Sequence, residues 1–240
     1  MTANNPSRQA PAETLRHELK YHISLGSAGI LSSLLGNTLS IDENADQNGE
    51  YKIRSLYFDD ALNSAMSDKI DGVKARHKYR IRIYNDSDRV IRLERKSKLG
   101  DYISKVSAPI TRNLAEQIIA GDAYGLERLD HPLLQDLYRQ MTLHLLRPAV
   151  IVDYVRKAFV HPAENTRVTL DQRLRTGLFS LDLFNPKIPT IPCLHEETVV
   201  LEIKYDRRFP AFIRPMVSSV PALRSAISKY TICRRFEFNL

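Results

Sequence analysis

The sequence predicts an α+β protein: an antiparallel β-barrel with a charged lumen and surrounding helices. Three observations carry that expectation. Lys78-Tyr79-Arg80-Ile81-Arg82-Ile83-Tyr84 alternates cation and apolar residue. In an extended strand Lys78, Arg80 and Arg82 then share one face, and Tyr79, Ile81 and Ile83 the other. Similar charged faces recur along the chain. Opposite some of them lie apolar rows, such as Val199, Leu201 and Ile203, which need cover from helices and so turn the charge toward a barrel axis.

The elements follow in order. Residues 14–23 alternate well enough for a first strand. Residues 24–35 read as a short amphipathic helix with Ser24 as N-cap. A polar loop over 42–50 leads to a strand over 51–58. Residues 59–71 predict a helix stopped by Gly72. In this reading Asp59 and Asp60 cap the helix start instead of binding metal. Strands over 75–84, 90–97 and 102–110, joined by turns at 85–88 and 98–101, form an antiparallel meander. Thr111 opens a helix to about Ala120, and 132–146 gives another. Pro148 ends that stretch and starts a strand over 149–159. Further strands are expected over 167–170, 177–181 and 198–205, with a Pro-rich loop over 185–192. The last helix is expected over 221–230, with Arg234-Arg235 at a solvated helix end.

No linker or repeat divides the chain. Residues 1–12 are expected to be a disordered lead-in and 13–240 a single domain. A net charge of +7 favours polyanionic partners: nucleic acid, phosphorylated metabolites or an acidic membrane surface. Cys193 and Cys233 offer neither a disulfide framework nor metal-finger spacing, which points to a reducing compartment. The N-terminus has no signal-peptide core and no apolar run reaches membrane-span length, so a cytoplasmic protein is expected. No P-loop, nucleophile elbow, dinucleotide fingerprint or HExxH spacing is present.

The polar faces carry Arg16, Glu18, Lys20 and His22, then Lys78, Arg80 and Arg82, then Arg92, Glu94 and Lys96. Lys105, Arg156, Arg167 and the Glu202–Lys204 pair follow. A solvated sheet face is the ordinary reading of any one such strand. Heavy use of arginine, whose planar fork suits phosphate oxygens, and isolated glutamates among the cations favour a different one. A barrel of about eight strands has room for one small ligand. A polyphosphate inside would relieve the crowding of like charge. A lone carboxylate there could help hold Mn²⁺ or Mg²⁺, which bridge carboxylate and phosphate. RNA remains an alternative occupant of basic strands with nearby Tyr79, Tyr84 and Tyr102, although no RNP-like aromatic motif is present.

Several segments together resemble the VTC-type polyphosphate polymerase domain, within the CYTH-like triphosphate tunnel metalloenzymes. These are RHELK at 16–20, SLYFDD at 55–60, KYRIRIY at 78–84, LERKSK at 93–98, YISK at 102–105 and DYVRKAF at 153–159. RVTLD at 167–171, LEIKY at 201–205 and SKY at 228–230 complete the ordered set. The resemblance implies an antiparallel tunnel that binds triphosphate with a divalent metal, Mn²⁺ or Mg²⁺. It implies phosphate-binding roles for Lys20, Arg80, Arg82, Lys96, Lys105, Arg156, Arg167 and Lys229, with Arg80, Arg82, Arg156 and Arg167 as the catalytic cations. It places the metal on Glu202, with Glu18 and Glu94 as further candidates.

The activity so implied is transfer of the γ-phosphate of ATP to a growing inorganic polyphosphate chain, in a tunnel open at both ends. ATP or triphosphate and polyphosphate are the expected partners, and nucleic acid is disfavoured. Peripheral membrane association and oligomeric state are left open. One departure stands out. The first glutamate of the CYTH signature Glu-x-Glu-x-Lys is Arg16 here, which removes a carboxylate and argues against a two-metal hydrolase. A triphosphate-cleaving hydrolase and a non-catalytic polyphosphate or RNA binder are the alternatives.

Overall fold

A computed structural model describes residues 16–100 and 102–239. The expected lead-in over 1–12, the start of the expected 14–23 strand and Asp101 of the second hairpin turn lie outside the described residues.

The chain runs β1 (His17–Ser24), α1 (Leu25–Gly36), β2 (Ser40–Ile41), β3 (Glu50–Asp59), α2 (Ser64–Ile70), β4 (Ala75–Tyr84), β5 (Ser87–Leu99) and β6 (Tyr102–Pro109). It continues through α3 (Arg112–Ile119), α4 (Pro132–Leu143), β7 (Arg147–His161), β8 (Thr166–Thr176), β9 (Ile191–Pro192) and β10 (Thr198–Tyr205). It ends in α5 (Ile213–Ser218), β11 (Leu223–Arg224) and α6 (Lys229–Phe238). The strand order is β11-β1-β10-β8-β7-β3-β4-β5-β6, with β2 on β7 and β9 on β8. The described pairings are antiparallel.

The sheet curls until its two edges meet. The Arg16 amide donates to the Ile103 carbonyl at 3.2 Å, which makes a single bridge between the start of β1 and β6. The expected barrel is therefore a curled sheet that closes at one point, without a continuous ladder. Across the seam a side-chain pair stands in for backbone bonds: Lys96 on β5 reaches Glu18 on β1 at 2.7 Å.

Packing follows the period-two pattern. Ile81, Ile83 and Leu93 point outward and are fully buried with Ile118 of α3 and Leu137 and Met141 of α4. Leu201 and Ile203 do the same against Leu31 and Leu35 of α1 and Ile213 of α5. Each such side chain contributes roughly 1.5–3 kcal/mol on burial. The charged faces are left to look inward.

Local signals set the helix starts. Ser24 accepts from the Ser27 amide at 3.1 Å and Thr111 from the Leu114 amide at 3.2 Å. The helix expected over 59–71 begins only at Ser64, because the two aspartates fold the chain back first. Asp60 accepts from the Leu62 and Ser64 amides, and Asp59 from the Ala65 amide, so both carboxylates cap as expected. The Asn85-Asp86 turn takes positive φ at both residues, as a tight hairpin turn requires.

Three expectations are corrected. Residues 177–181 form no strand: β8 runs on to Thr176 and the chain turns at Gly177. Gly177 donates its amide to Ile151 and passes so close that an added Cβ would sit 2.8 Å from the Ile151 Cβ. The final helix does not cover 221–230. Leu223 and Arg224 extend along the open edge of β1, the Ser225 amide donates to the Lys20 carbonyl at 3.1 Å, and α6 begins only at Lys229 behind its Ser228 cap. Edge pairing outweighs helix propensity there. Arg234 is not solvated either, since its guanidinium bonds to the Ala149 carbonyl and the Asn63 side chain.

Helix α6 has a further consequence. Tyr230 and Cys233 pack with Val150, Val152 and Leu174. Val150 and Val152 share their face of β7 with Tyr154 and Arg156, the inward one. So α6 packs on part of the inner face of β7 at one end of the barrel, beside the cavity. No helix among the described residues is long and apolar enough to cross a membrane.

Candidate phosphate-binding tunnel

The inward faces enclose a cavity of about 1830 Å³. It is lined by Lys20 of β1, Arg80 and Arg82 of β4, Lys96 of β5, Lys105 of β6, Arg156 of β7, Arg167 of β8, Glu202 of β10 and Lys229 of α6. Glu18 lines it too, and Glu94 touches it through its cations. The structure thus places the phosphate and metal candidates from the sequence around one cavity, whereas His22 and Arg92 of the same polar faces do not line it.

Two carboxylate centres organise these cations. Glu94, 1% exposed, accepts from Arg80 Nε at 2.7 Å and Lys105 Nζ at 2.9 Å, with Arg82 at 3.9 Å. Burial pushes its carboxyl up, but Arg80, Arg82 and Lys105 overcome that and hold it well below the usual range. Arg80 also donates to Tyr57 Oη at 2.7 Å, and Arg82 to Ser55 Oγ and Tyr154 Oη at 3.1 Å each. Both guanidiniums are therefore fixed in position before any ligand arrives.

The second centre is the diagonal pair Glu18 and Glu202, each opposite a lysine of the other strand. Lys20 Nζ lies 3.3 Å from Glu18 and 3.2 Å from Glu202, and Lys204 lies 2.6 Å from Glu202. Burial and the charge of Glu202 raise the Glu18 carboxyl, yet Lys20, Lys96 and Lys204 bring it down to about 2. Lys20 is raised despite its burial by the two carboxylates. Burial, with repulsion by Lys20 and Lys204, pushes Lys96 down to about 8 against the attraction of Glu18 and Glu202.

Arg156 forks onto Asp171 at 2.6 and 2.7 Å, and Lys229 reaches the same carboxylate at 2.6 Å. Burial opposes ionisation of Asp171, but Arg156 and Lys229 hold it at about 2. Arg167 pairs with Asp42 and donates to Tyr51 Oη at 2.8 Å.

Four groups at the site were given no ligand role from sequence: Lys78, Lys204 and Tyr154, which line the cavity, and Asp171, buried against Arg156 and Lys229. Period two alone marks two of them, since Lys204 lies two residues after Glu202 and Lys78 two before Arg80. Asp171 shares its strand face with Arg167 in the same way, two pleats on. Tyr154 lies opposite Ile53 across β3 and β7, and its hydroxyl accepts from Arg82 at 3.1 Å inside the cavity.

What this arrangement offers chemically is a concave site with fixed cations in excess over carboxylates. Its preferred guest is a compact polyanion whose oxygens replace the internal carboxylates as partners.

The fold is similar to that of HpAC1 from Hippeastrum, a putative adenylyl cyclase described as having a dominant triphosphatase activity. The TM-score is 0.56 at 16% identity, covering 93% of this chain and 96% of that one. A putative adenylate cyclase from Bacillus halodurans gives a TM-score of 0.49 at 10% identity over 86% of this chain and 93% of that one. None of the curated proteins compared with the chain matches it. The model of the VTC domain family matches residues 15–238, nearly the whole chain, and the chain therefore belongs to the VTC domain family.

Proposed function

We propose that the chain is a polyphosphate polymerase-like phosphotransferase that moves the γ-phosphoryl group of ATP onto a growing inorganic polyphosphate. The observation that carries this reading is the convergence of Arg80, Arg82, Arg156 and Lys20 on one enclosed lumen, each already oriented by a buried carboxylate or hydroxyl. Membership of the VTC domain family supports it.

Phosphoryl transfer asks the protein mainly for positioning and charge neutralisation. Arg80, Arg82, Arg156 and Arg167 would hold nonbridging oxygens, and Lys20, Lys96, Lys105 and Lys229 would compensate the remaining charge. The acceptor is an ionised phosphate, so no side chain need remove a proton.

A divalent ion, Mn²⁺ or Mg²⁺, fits the donors present. Glu18 and Glu202 offer hard oxygen ligands on either side of Lys20, and such ions take their other positions from phosphate and water. Bound there, the ion would neutralise charge on the phosphate oxygens. Glu94 is the weaker candidate, because the planar fork of Arg80 holds one of its oxygens and Lys105 the other, whereas the partners of Glu18 and Glu202 are flexible lysines. Among the described residues no three His, Cys, Asp or Glu groups stand together as a self-sufficient metal site. Arg16 pairs with Asp206 at 3.1 Å instead of adding a carboxylate. This exchange of a signature carboxylate for a cation favours chain growth over two-metal hydrolysis.

A triphosphatase is the second reading, and the fold likeness to the Hippeastrum protein is what favours it. Incubation of the purified chain with ATP and Mn²⁺, followed by separation of products, distinguishes them. Long-chain polyphosphate is the expected product; orthophosphate released in proportion to ATP consumed, with no chain growth, defeats the proposal.

A further inference from the structure

One mouth of the cavity is lined by Lys69, Arg76, Lys78 and Lys98, and among the described residues none of the four forms an ion pair. Elsewhere around the lumen Lys20, Lys96, Lys105, Arg156, Lys204 and Lys229 each have a carboxylate partner. Strand register forces the bare cations together. Arg76 sits directly opposite Lys98 across β4 and β5, and Lys78 opposite Lys96, itself opposite Lys105 on β6. Like charges placed opposite each other on an antiparallel pair destabilise it.

Lys69 joins them from α2. Burial, then repulsion by Arg76, Lys98 and Lys20, pushes it below the usual lysine range. Lys78 is driven down to about 7, by burial first and then by Lys69 and Arg76. Its Nζ has only neutral partners: Ser228 Oγ at 3.1 Å, Thr231 Oγ1 at 3.4 Å and the Tyr230 ring at 4.4 Å. Asp59, the carboxylate that acts on it, is already engaged by the Tyr230 hydroxyl.

We infer that this mouth, beside the start of α6, is a second anion site that grips the phosphate units of a polyphosphate chain extending beyond the triphosphate in the lumen. The inference rests on the tunnel being a polyphosphate site. It adds a direction: the chain leaves beside α6, along Lys78, Lys69 and the Arg76–Lys98 pair. A row of like charges without counterions is costly to keep, and a flexible polyanion relieves it. Nucleic acid fits less well, because the neighbouring rings are not offered for stacking. Tyr79 and Tyr230, the rings flanking Lys78, are 2% and 1% exposed.

The test compares the full chain with a Lys69→Ala/Arg76→Ala/Lys98→Ala variant, by titration calorimetry over a series of salt concentrations. The probes are tripolyphosphate and a linear polyphosphate of a few tens of units. The variant is expected to bind tripolyphosphate within about twofold of the parent but the long chain about tenfold more weakly, with a salt slope lower by about one per cation removed. Equal losses for both probes, or no loss for the long chain, overturn the inference. An oligoribonucleotide that binds as tightly and loses as much overturns it in favour of a nucleic-acid ligand. A chain that makes no polyphosphate yet shows the length-dependent loss keeps this site and refutes only the proposed reaction. If the parent binds neither phosphate probe, both fall.

Discussion

Replacing Glu94 with glutamine removes the counter-ion that Arg80, Lys105 and Arg82 share, while leaving volume and shape nearly intact. Glu94 lies 2.7 Å from Arg80 Nε and 2.9 Å from Lys105, with 2% of its side chain exposed. Breaking a buried ion pair from one side costs about 3–5 kcal/mol, because the remaining charge is stranded. Lys105 is half exposed and can swing into water, which favours the lower end, about 3 kcal/mol. In a domain of this size that corresponds to a fall in Tm of about 6–12 °C. A triphosphate in the lumen would resupply the missing negative charge. Tripolyphosphate at about 100 Kd contributes about 2.7 kcal/mol to any binder, and the gap between variant and parent should narrow further in its presence. Differential scanning fluorimetry with and without tripolyphosphate measures both quantities. A variant as stable as the parent refutes the assignment of Glu94 as internal counter-ion. A deficit that tripolyphosphate leaves unchanged refutes the lumen as the phosphate site.

The remaining predictions probe the other parts of the account. Arg80→Lys keeps the charge but loses the fork that bonds Glu94 and Tyr57 together, so turnover of ATP should fall about 10²-fold with little change in Tm. Glu18 and Asp171 are both held at about 2, below their unfolded values near 4. Their contribution to stability is complete above those unfolded values and lost as pH falls through the folded ones, so circular dichroism should show acid unfolding between about pH 4 and pH 2. Arg54 and Asp153 form a buried pair on the outer side of the sheet, at 2.8–3.1 Å, so Asp153→Ala should cost about 3–5 kcal/mol in urea unfolding and leave tripolyphosphate affinity unchanged.

Much of this architecture was legible because a β-strand sorts its residues by parity. Lys78 to Tyr84 declared two faces, and the structure puts Ile81 and Ile83 under α3 and α4 with Arg80 and Arg82 inside. The same parity carried Glu202 and Lys20 to one site from strands far apart in sequence. Where parity gives no signal, the reading failed. Residues 177–181 looked extended, but the close pass of Gly177 over Ile151 is a tertiary constraint with no local signature. Residues 221–230 had helix propensity, but the open edge of β1 took Leu223 and Arg224 first. The packing of α6 on the inner face at one barrel end, and the meeting of Glu18 with Lys96 across the seam, depend on how the sheet curls, which no single segment encodes. The two cysteines, forty residues apart in sequence, come into one apolar cluster through that same helix.

The central claim is that the cationic faces form an internal site for triphosphate. Crystals soaked with tripolyphosphate and Mn²⁺ test it most directly. The account predicts phosphate density inside the lumen, with nonbridging oxygens on Arg80, Arg82 and Arg156 and the metal beside Glu202. Phosphate bound only on the outer surface, with Arg80 and Arg156 still paired to Glu94 and Asp171 around a solvent-filled lumen, would contradict it.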